Sequence, residues 1–243
     1  MGIEAGGFEL QEADLPGRQG RLLLALLVIR RSHPLTRDAL AEHLWPAERP
    51  RSWDVALSAL VSKLRQRLEA LPPSRSAGIR TAFGAHQLFL PADAWVDVEC
   101  APNRLDEAEA ALRDGDLNGA WVAAHTTWSI TRRPFLVGED TPWAGAFRDR
   151  LDGLRIRALN CIADVWSARD ELELAESCAT EAISIEPLRE EGYRRLMEIR
   201  VRRGNPAAAL ETYERCRRLL AAELGARPGA ATEALYQRVL AMT

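Results

Sequence analysis

The chain is almost without lysine: Lys63 is the only one among 32 basic residues. That bias reports a GC-rich coding sequence, so abundant arginine is by itself weak evidence for a nucleic-acid partner. Cysteine is sparse as well. Cys100, Cys161, Cys178 and Cys216 lie far apart, form no CxxC pair and lack the spacing of a zinc site. They are expected as reduced thiols, as in cytosolic chains. No apolar run approaches the roughly 20 residues of a membrane span. The longest, Leu22 to Ile29, suits a core helix. The first ten residues lack the basic start and apolar stretch of an export signal. A cytoplasmic protein with no membrane partner is expected.

Catalytic signatures are missing too. There is no GxxxxGK[ST] to cradle a nucleotide phosphate, and no HExxH or GxSxG. His33, His43, His86 and His125 are scattered, with no spacing that sets two on one helical face as metal ligands. Neighbouring carboxylates such as Glu139-Asp140 and Glu190-Glu191 are of the kind that solvated surfaces carry. The expectation is a protein that is not an enzyme and holds no cofactor or metal.

What is present describes a globular chain of 243 residues, 47% hydrophobic and 28% charged, long enough for two domains with their own cores. The net charge of -3 hides an asymmetry. Residues 17–91 hold twelve Arg and Lys against five Asp and Glu, a net +7, which leaves -10 for the other 168 residues. A basic block on an acidic protein is an electrostatic footprint for a polyanion.

Short alternating pieces within residues 3–15, such as Phe8-Glu9-Leu10, are compatible with a small edge hairpin. A helix over about 18–31 carries Leu22, Leu23, Leu26, Leu27 and Ile29 on a broad apolar face, and Pro34 closes it. Thr36 is a natural N-cap for a second helix, with Asp38 in its first turn. Leu40, Leu44 and Trp45 are expected to bury against the first helix. After the turn at residues 46–50, a third helix from about Ser52 to Leu71 buries Leu57, Leu60, Val61, Leu64 and Leu68 at i, i+3, i+4, i+7 spacing. Residues 72–76 read as a loop, and a hairpin over 79–90 turns near Gly84. Helix, helix and hairpin in this order make a winged helix-turn-helix, whose third helix enters a DNA major groove.

The candidate DNA contacts follow from that order. Arg51, Ser58, Ser62 and Arg65 share one stripe of the third helix, with Lys63 and Arg67 flanking it toward phosphates. Thr36 and Arg37 lie where free amides of the second helix can hold a phosphate. Arg80 and His86 on the wing reach toward a minor groove or its phosphates. Any one of these residues also suits an ordinary solvated face; only the constellation points to DNA. Asp54 in the first turn of the third helix suits the helix dipole but not a nearby phosphate. With Trp53, it is a candidate to pack against the second domain.

From residue 103 onward the pattern is helical, broken at 134–141, 186–187, 204–206 and 225–228. A repeat is visible within it. Ala175 and Ala182 recur as Ala209 and Cys216, offset by 34 residues, and Asp170 matches Gly204 as the turn between paired helices. Gly115, Ala120 and Thr127 look like an earlier, irregular copy, set apart by an insertion over 130–142. A period of 34 is the tetratricopeptide signature, and such stacks form a groove for a peptide or another domain. A small molecule in a groove lined by Trp121, Trp128, Trp143 or Trp166 is a further reading.

The residues also carry a resemblance. Gly17-Arg18-Gln19 leading into Leu22–Leu27, Pro34-Leu35-Thr36-Arg37-Asp38-Ala39-Leu40, Leu44-Trp45 and Val61-Ser62-Lys63-Leu64-Arg65 are similar to SARP-family transcriptional activators. Glu186-Pro187-Leu188-Arg189-Glu190-Glu191, Leu210-Glu211-Thr212-Tyr213-Glu214-Arg215-Cys216, Glu223-Leu224-Gly225 and Pro228 resemble their bacterial transcriptional activator domain. The resemblance implies a mostly α protein. A winged helix-turn-helix with small β-hairpins would occupy residues 1–97, and a tetratricopeptide-like helical domain residues 98–243. It also implies binding to promoter repeats in double-stranded DNA and recruitment of RNA polymerase at secondary-metabolite gene clusters, and a homodimer on DNA is compatible with it. The chain departs from the family where Asp54-Val55 replaces an Arg-Asn pair, where Ser58 replaces Gln, and where Ala82-Phe83-Gly84-Ala85-His86 replaces a Pro-Pro-Gly-Tyr wing turn. Those departures favour a DNA preference of its own. The alternative function is a protein-interaction module of the same fold that has lost or weakened DNA binding, with ligand control through the helical domain as an added option.

Overall fold

The computed structural model describes residues 3–5, 8–10, 15–69, 77–91 and 94–242; the expected loop over 72–76 lies outside them. Two compact units divide the chain. One comprises residues 1–96 and 134–148, the other residues 97–133 and 149–243.

In the first unit β1 (Ile3–Ala5) and β2 (Phe8–Leu10) pair as an antiparallel hairpin. Helix α1 (Gly17–Ile29) is followed by the two-residue strand β3 (Leu35–Thr36), α2 (Arg37–Leu44) and α3 (Trp53–Glu69). The wing strands β4 (Gly78–Ala82) and β5 (Ala85–Phe89) complete a three-stranded antiparallel sheet in the order β3-β5-β4. Register pairs Leu35 with His86, Thr36 with Ala85 and Ala82 with Ala85.

The core follows from helical periodicity. Leu22, Leu23, Leu26 and Leu27 of α1 are buried against Leu40 and Leu44 of α2, Leu57, Val61, Leu64 and Leu68 of α3, and Ile79 and Leu88 of the wing. Each such leucine contributes about 2 kcal/mol through the apolar area it removes from water. Thr36 caps α2 as expected, its Oγ1 accepting from the Ala39 N–H at 3.2 Å. Trp45 is partly buried against the same core.

Residues 134–148, expected within the helical half, pack with the N-terminal unit instead. Leu136 and Ala144 join its core, with Phe135 and Trp143 against it. The Trp143 indole donates to the His43 carbonyl at 3.1 Å. Glu139, expected on a solvated surface, is 1% exposed. Arg18 donates to its two carboxylate oxygens at 3.0 and 2.8 Å, and Arg21 adds a bond at 2.7 Å. Arg148 donates to the carbonyls of Phe135, Leu136 and Glu139. A carboxylate is retained in this apolar setting because three charge-assisted bonds replace its water.

The second unit is a series of helical hairpins: α4 (Asp97–Arg113) with α5 (Leu117–Thr131), α6 (Pro142–Ala168, from Asp149 in this unit) with α7 (Leu172–Ile185), and α8 (Glu190–Arg202) with α9 (Pro206–Leu224). Helix α10 (Ala230–Leu240) packs on α8 and α9. The three turns are built alike. Gly115, Asp170 and Gly204 have φ of 79°, 63° and 73°, in the left-handed region. Their N–H groups reach back three residues, to Leu112, Ser167 and Val201, and the next N–H groups reach back five. This pairing satisfies carbonyls at a helix end. Five residues beyond each turn stand Ala120, Ala175 and Ala209, all 0% exposed; seven further on stand Thr127, Ala182 and Cys216, also buried. Small side chains at both levels let the paired helices approach. The earlier copy is therefore regular at these positions despite the insertion after it.

Glu139 is held below the usual carboxylate range: burial pushes it up, but the Arg18 and Arg21 bonds outweigh that. Its contribution is present above the ordinary glutamate value and is lost as pH falls through the lowered one. Glu139→Ala is expected to cost the first unit about 2–3 kcal/mol in urea unfolding, since it removes the buried acceptor of three charge-assisted bonds. Arg18→Ala is expected to cost only about 1 kcal/mol, because the Arg18 side chain is 60% exposed and Arg21 remains. Equal losses would show that the carboxylate is not the centre of the clamp.

Candidate nucleic-acid interface

Helix α3 presents Arg51 (just before its first residue), Asp54, Val55, Ser58, Ala59, Ser62, Lys63, Gln66 and Arg67 to solvent. The buried Leu57, Val61, Leu64 and Leu68 fix which side faces out. Among the described residues, Arg51, Lys63 and Arg67 have neither an ion pair nor a hydrogen bond to their side chains. They are therefore available to phosphates.

Arg37 is occupied. Its guanidinium donates to Asp54 Oδ1 and to the Asp54 carbonyl, and to Ser58 Oγ at 2.8 Å. Its backbone N–H donates to the Gly84 carbonyl at 3.2 Å. With Ala39 already bonded to Thr36, two amides at the start of α2 are committed, so the phosphate cradle expected at Thr36 and Arg37 is largely filled from within. Asp54 is thereby paired inside this unit. Trp53 is likewise placed here, packed against the core with the Arg49 guanidinium 4.7 Å from its ring centroid. Arg49 also pairs with Asp38.

Two expected contacts are corrected. Arg65 does not share the exposed stripe. It is half-buried and turned to the wing, donating to the Ile79 carbonyl at 3.2 and 3.0 Å and to Thr81 Oγ1 at 2.9 Å. His86 does not face outward but is 3% exposed. Strand alternation sets it beside Leu88 on the inner face, opposite Gln87 and Phe89. That signal stood in Ala85-His86-Gln87-Leu88-Phe89, where period two groups His86 with a leucine. Arg80 is exposed, its guanidinium 4.7 Å from the Phe89 ring centroid.

These groups form one polar chain. Arg37 Nη1 lies 3.5 Å from His86 Nε2, and His86 Nδ1 lies 2.9 Å from Thr81 Oγ1. A guanidinium only donates, so Nε2 accepts and Nδ1 carries the proton. Thr81 Oγ1 then accepts from both His86 and Arg65. The arrangement requires a neutral imidazole.

The wing turn consists of Phe83 and Gly84, with φ of 51° and 74°. Positive φ at both positions of a two-residue loop marks a type I′ turn, which favours Asn-Gly. The left-handed conformation at Phe83 costs about 1–2 kcal/mol.

In the second unit the structure brings Trp121, His125, Trp128 and Trp166 together. Trp121 stacks on His125 with centroids 4.9 Å apart and meets Trp166 edge-on at 6.3 Å. Trp143, grouped with them on sequence grounds, belongs to the first unit. The three tryptophans pack against the buried helical core. Burial pushes the thiols of Cys161, Cys178 and Cys216 up to about 11, which leaves them poor nucleophiles at neutral pH.

Burial, then the charges of Arg37 and Arg65, hold the His86 pKa below its ordinary 6.5. The unfolded chain therefore takes up a proton that the folded chain refuses. The first unit is expected to lose stability as pH falls below 6.5, by at most about 1.4 kcal/mol per pH unit. Urea unfolding of the chain and of His86→Asn across that range checks this. The variant starts less stable and lacks that part of the slope; parallel curves would contradict the neutral-imidazole assignment.

Comparison with known proteins bears on this geometry. The bacterial transcriptional activator domain family matches residues 96–240, and the C-terminal domain of transcriptional regulatory proteins matches residues 11–85. Regulatory protein AfsR of Streptomyces coelicolor is 31% identical over 229 residues, which are 91% of this chain and 22% of AfsR. AfsR of Streptomyces griseus is 30% identical over 96% of the chain and 23% of its own length. Transcriptional regulator RedD of S. coelicolor is 30% identical over 91% of the chain and 63% of RedD. The chain thus spans under a quarter of AfsR and under two thirds of RedD. The fold is shared with Mycobacterium tuberculosis EmbR, solved in complex with a low-affinity phosphopeptide. The TM-score is 0.83 at 23% identity, covering 98% of this chain and 62% of that one. A winged helix-turn-helix and a tetratricopeptide-like unit, each matched by its own family, place the chain in the bacterial transcriptional activator domain family as a SARP-family transcriptional regulator.

Proposed function

We propose that the chain binds double-stranded DNA at promoter repeats through the exposed face of α3 and activates transcription there. The observation that carries this reading is the division of labour among the cations of the first unit. Arg37 and Arg65 are engaged by Asp54, Ser58 and the wing, while Arg51, Lys63 and Arg67 stand exposed and unpaired among the described residues. Ser58 and Ser62 lie between them, short enough for backbone and base edge to approach. Arg80 adds a cation on the wing. Thr36, Arg37, Arg65 and His86 act in this reading as the frame that positions α3 and the wing.

The helical unit supplies the contact to RNA polymerase or to a second copy on adjacent repeats, in the cytoplasm. Resemblance to the SARP family supports a secondary-metabolite gene cluster as the target. A pure protein-interaction role is the competing reading, and DNA binding decides between them.

Phosphate contacts release counterions, so affinity should fall linearly with salt on logarithmic axes. Mobility shift on DNA from the upstream regions of neighbouring genes is the test. Arg51→Ala, Lys63→Ala and Arg67→Ala should each weaken binding across sequences and lower the salt slope by about one unit. A shift unaffected by all three would move the contact away from α3. No shift at low salt on any of these fragments would favour the interaction module.

A further inference from the structure

Phe83 stands at the tip of the wing in a conformation that phenylalanine does not favour. Its φ of 51° lies in the left-handed region, where a type I′ turn calls for Asn or Gly. Its side chain is fully exposed. Neither backbone geometry nor burial explains an aromatic residue there.

The turn that carries Phe83 is held from several sides. The Gly84 carbonyl accepts from the Arg37 N–H at 3.2 Å. Ala82 pairs with Ala85, and β5 is flanked on its other side by β3. The Arg65 fork grips Ile79 and Thr81, four and two residues before Phe83. A braced turn thus lifts an apolar ring into water at the end of a strand that also exposes Arg80.

We propose that Phe83 is an apolar wedge that enters the minor groove of duplex DNA and partly unstacks a base step while α3 occupies the adjoining major groove. This rests on the DNA-binding reading above. Apolar side chains inserted from the minor groove kink a duplex by roughly 20° or more. Rigidity matters, because a ring on a mobile loop would lose its order before it unstacked a base. Arg80 supplies attraction to the flanking phosphates. The wedge also supplies sequence preference without hydrogen bonds to bases. TA and CA/TG steps unstack most easily, so such a step is expected under the wing.

The test begins by enriching duplexes about two helical turns long from a random-sequence pool with the full 243-residue chain. The enriched duplex is then labelled with 2-aminopurine at successive positions, and its bend is read by energy transfer between its ends. Phe83→Asn suits the turn better than the native residue, so its thermal midpoint should be unchanged or higher. Its affinity should nevertheless fall by about tenfold, the 2-aminopurine brightening at the step under the wing should vanish, and the bend should shrink. Phe83→Leu should keep most of all three. Wild-type affinity, bend and fluorescence in Phe83→Asn would overturn the wedge and leave DNA binding standing. A loss confined to self-association, with no brightening in the wild-type complex, would place Phe83 against a second copy and overturn it too. If the pool yields no enriched duplex, the DNA-binding reading itself fails, and the wedge with it.

Discussion

Arg37 is the residue on which the geometry of the first unit turns. Its side chain joins α2 to the first two turns of α3 through Asp54 and Ser58, and its backbone joins α2 to the wing turn through Gly84. It also approaches the ring nitrogen of a buried histidine, which passes the contact on to Thr81 and Arg65. One arginine and its neighbours therefore set the angle of α3 and the position of the wing together. A guanidinium suits this use because its planar fork of donors reaches several acceptors at once, which a lysine could not do.

That use of arginine explains which cations remain for a partner. On sequence grounds Arg37, Arg51, Lys63, Arg65 and Arg67 are equivalent positive charges near one helix. The structure sorts them into two that hold the protein together and three that do not. The same sorting accounts for Asp54. It serves as the acceptor for Arg37. The exposed positions in the first half of α3, from Asp54 to Ser62, carry short side chains, with Arg51 before them and Lys63 and Arg67 after.

Much of the architecture was legible from periodicity. The leucine spacing of α1 and α3, the Thr36 cap and the turn at Gly84 are local signals, and each is realised within a residue or two. The 34-residue offset was legible because each repeat needs the same two small residues and the same left-handed turn, which Asp170 and Gly204 supply. What could not be read were contacts across long stretches of chain. Glu139 lies 121 residues from Arg18, and nothing in Glu139-Asp140 marks one carboxylate as buried. Arg65 fitted an exposed stripe by helical spacing alone; only the wing 14 residues away turns it inward. His86 was legible in principle from strand alternation, but reading it as a polar wing residue set that signal aside.

If the proposed function is right, the exposed face of α3 and the tip of its wing meet duplex DNA, on a frame set by Arg37. Amide hydrogen exchange of the full chain, with and without an enriched duplex at low salt, tests it directly. Added protection is expected only at residues 51–69 and 80–85, with residues 172–240 unchanged. Protection confined to the helical repeats, with α3 and the wing exchanging as in the free protein, would contradict it.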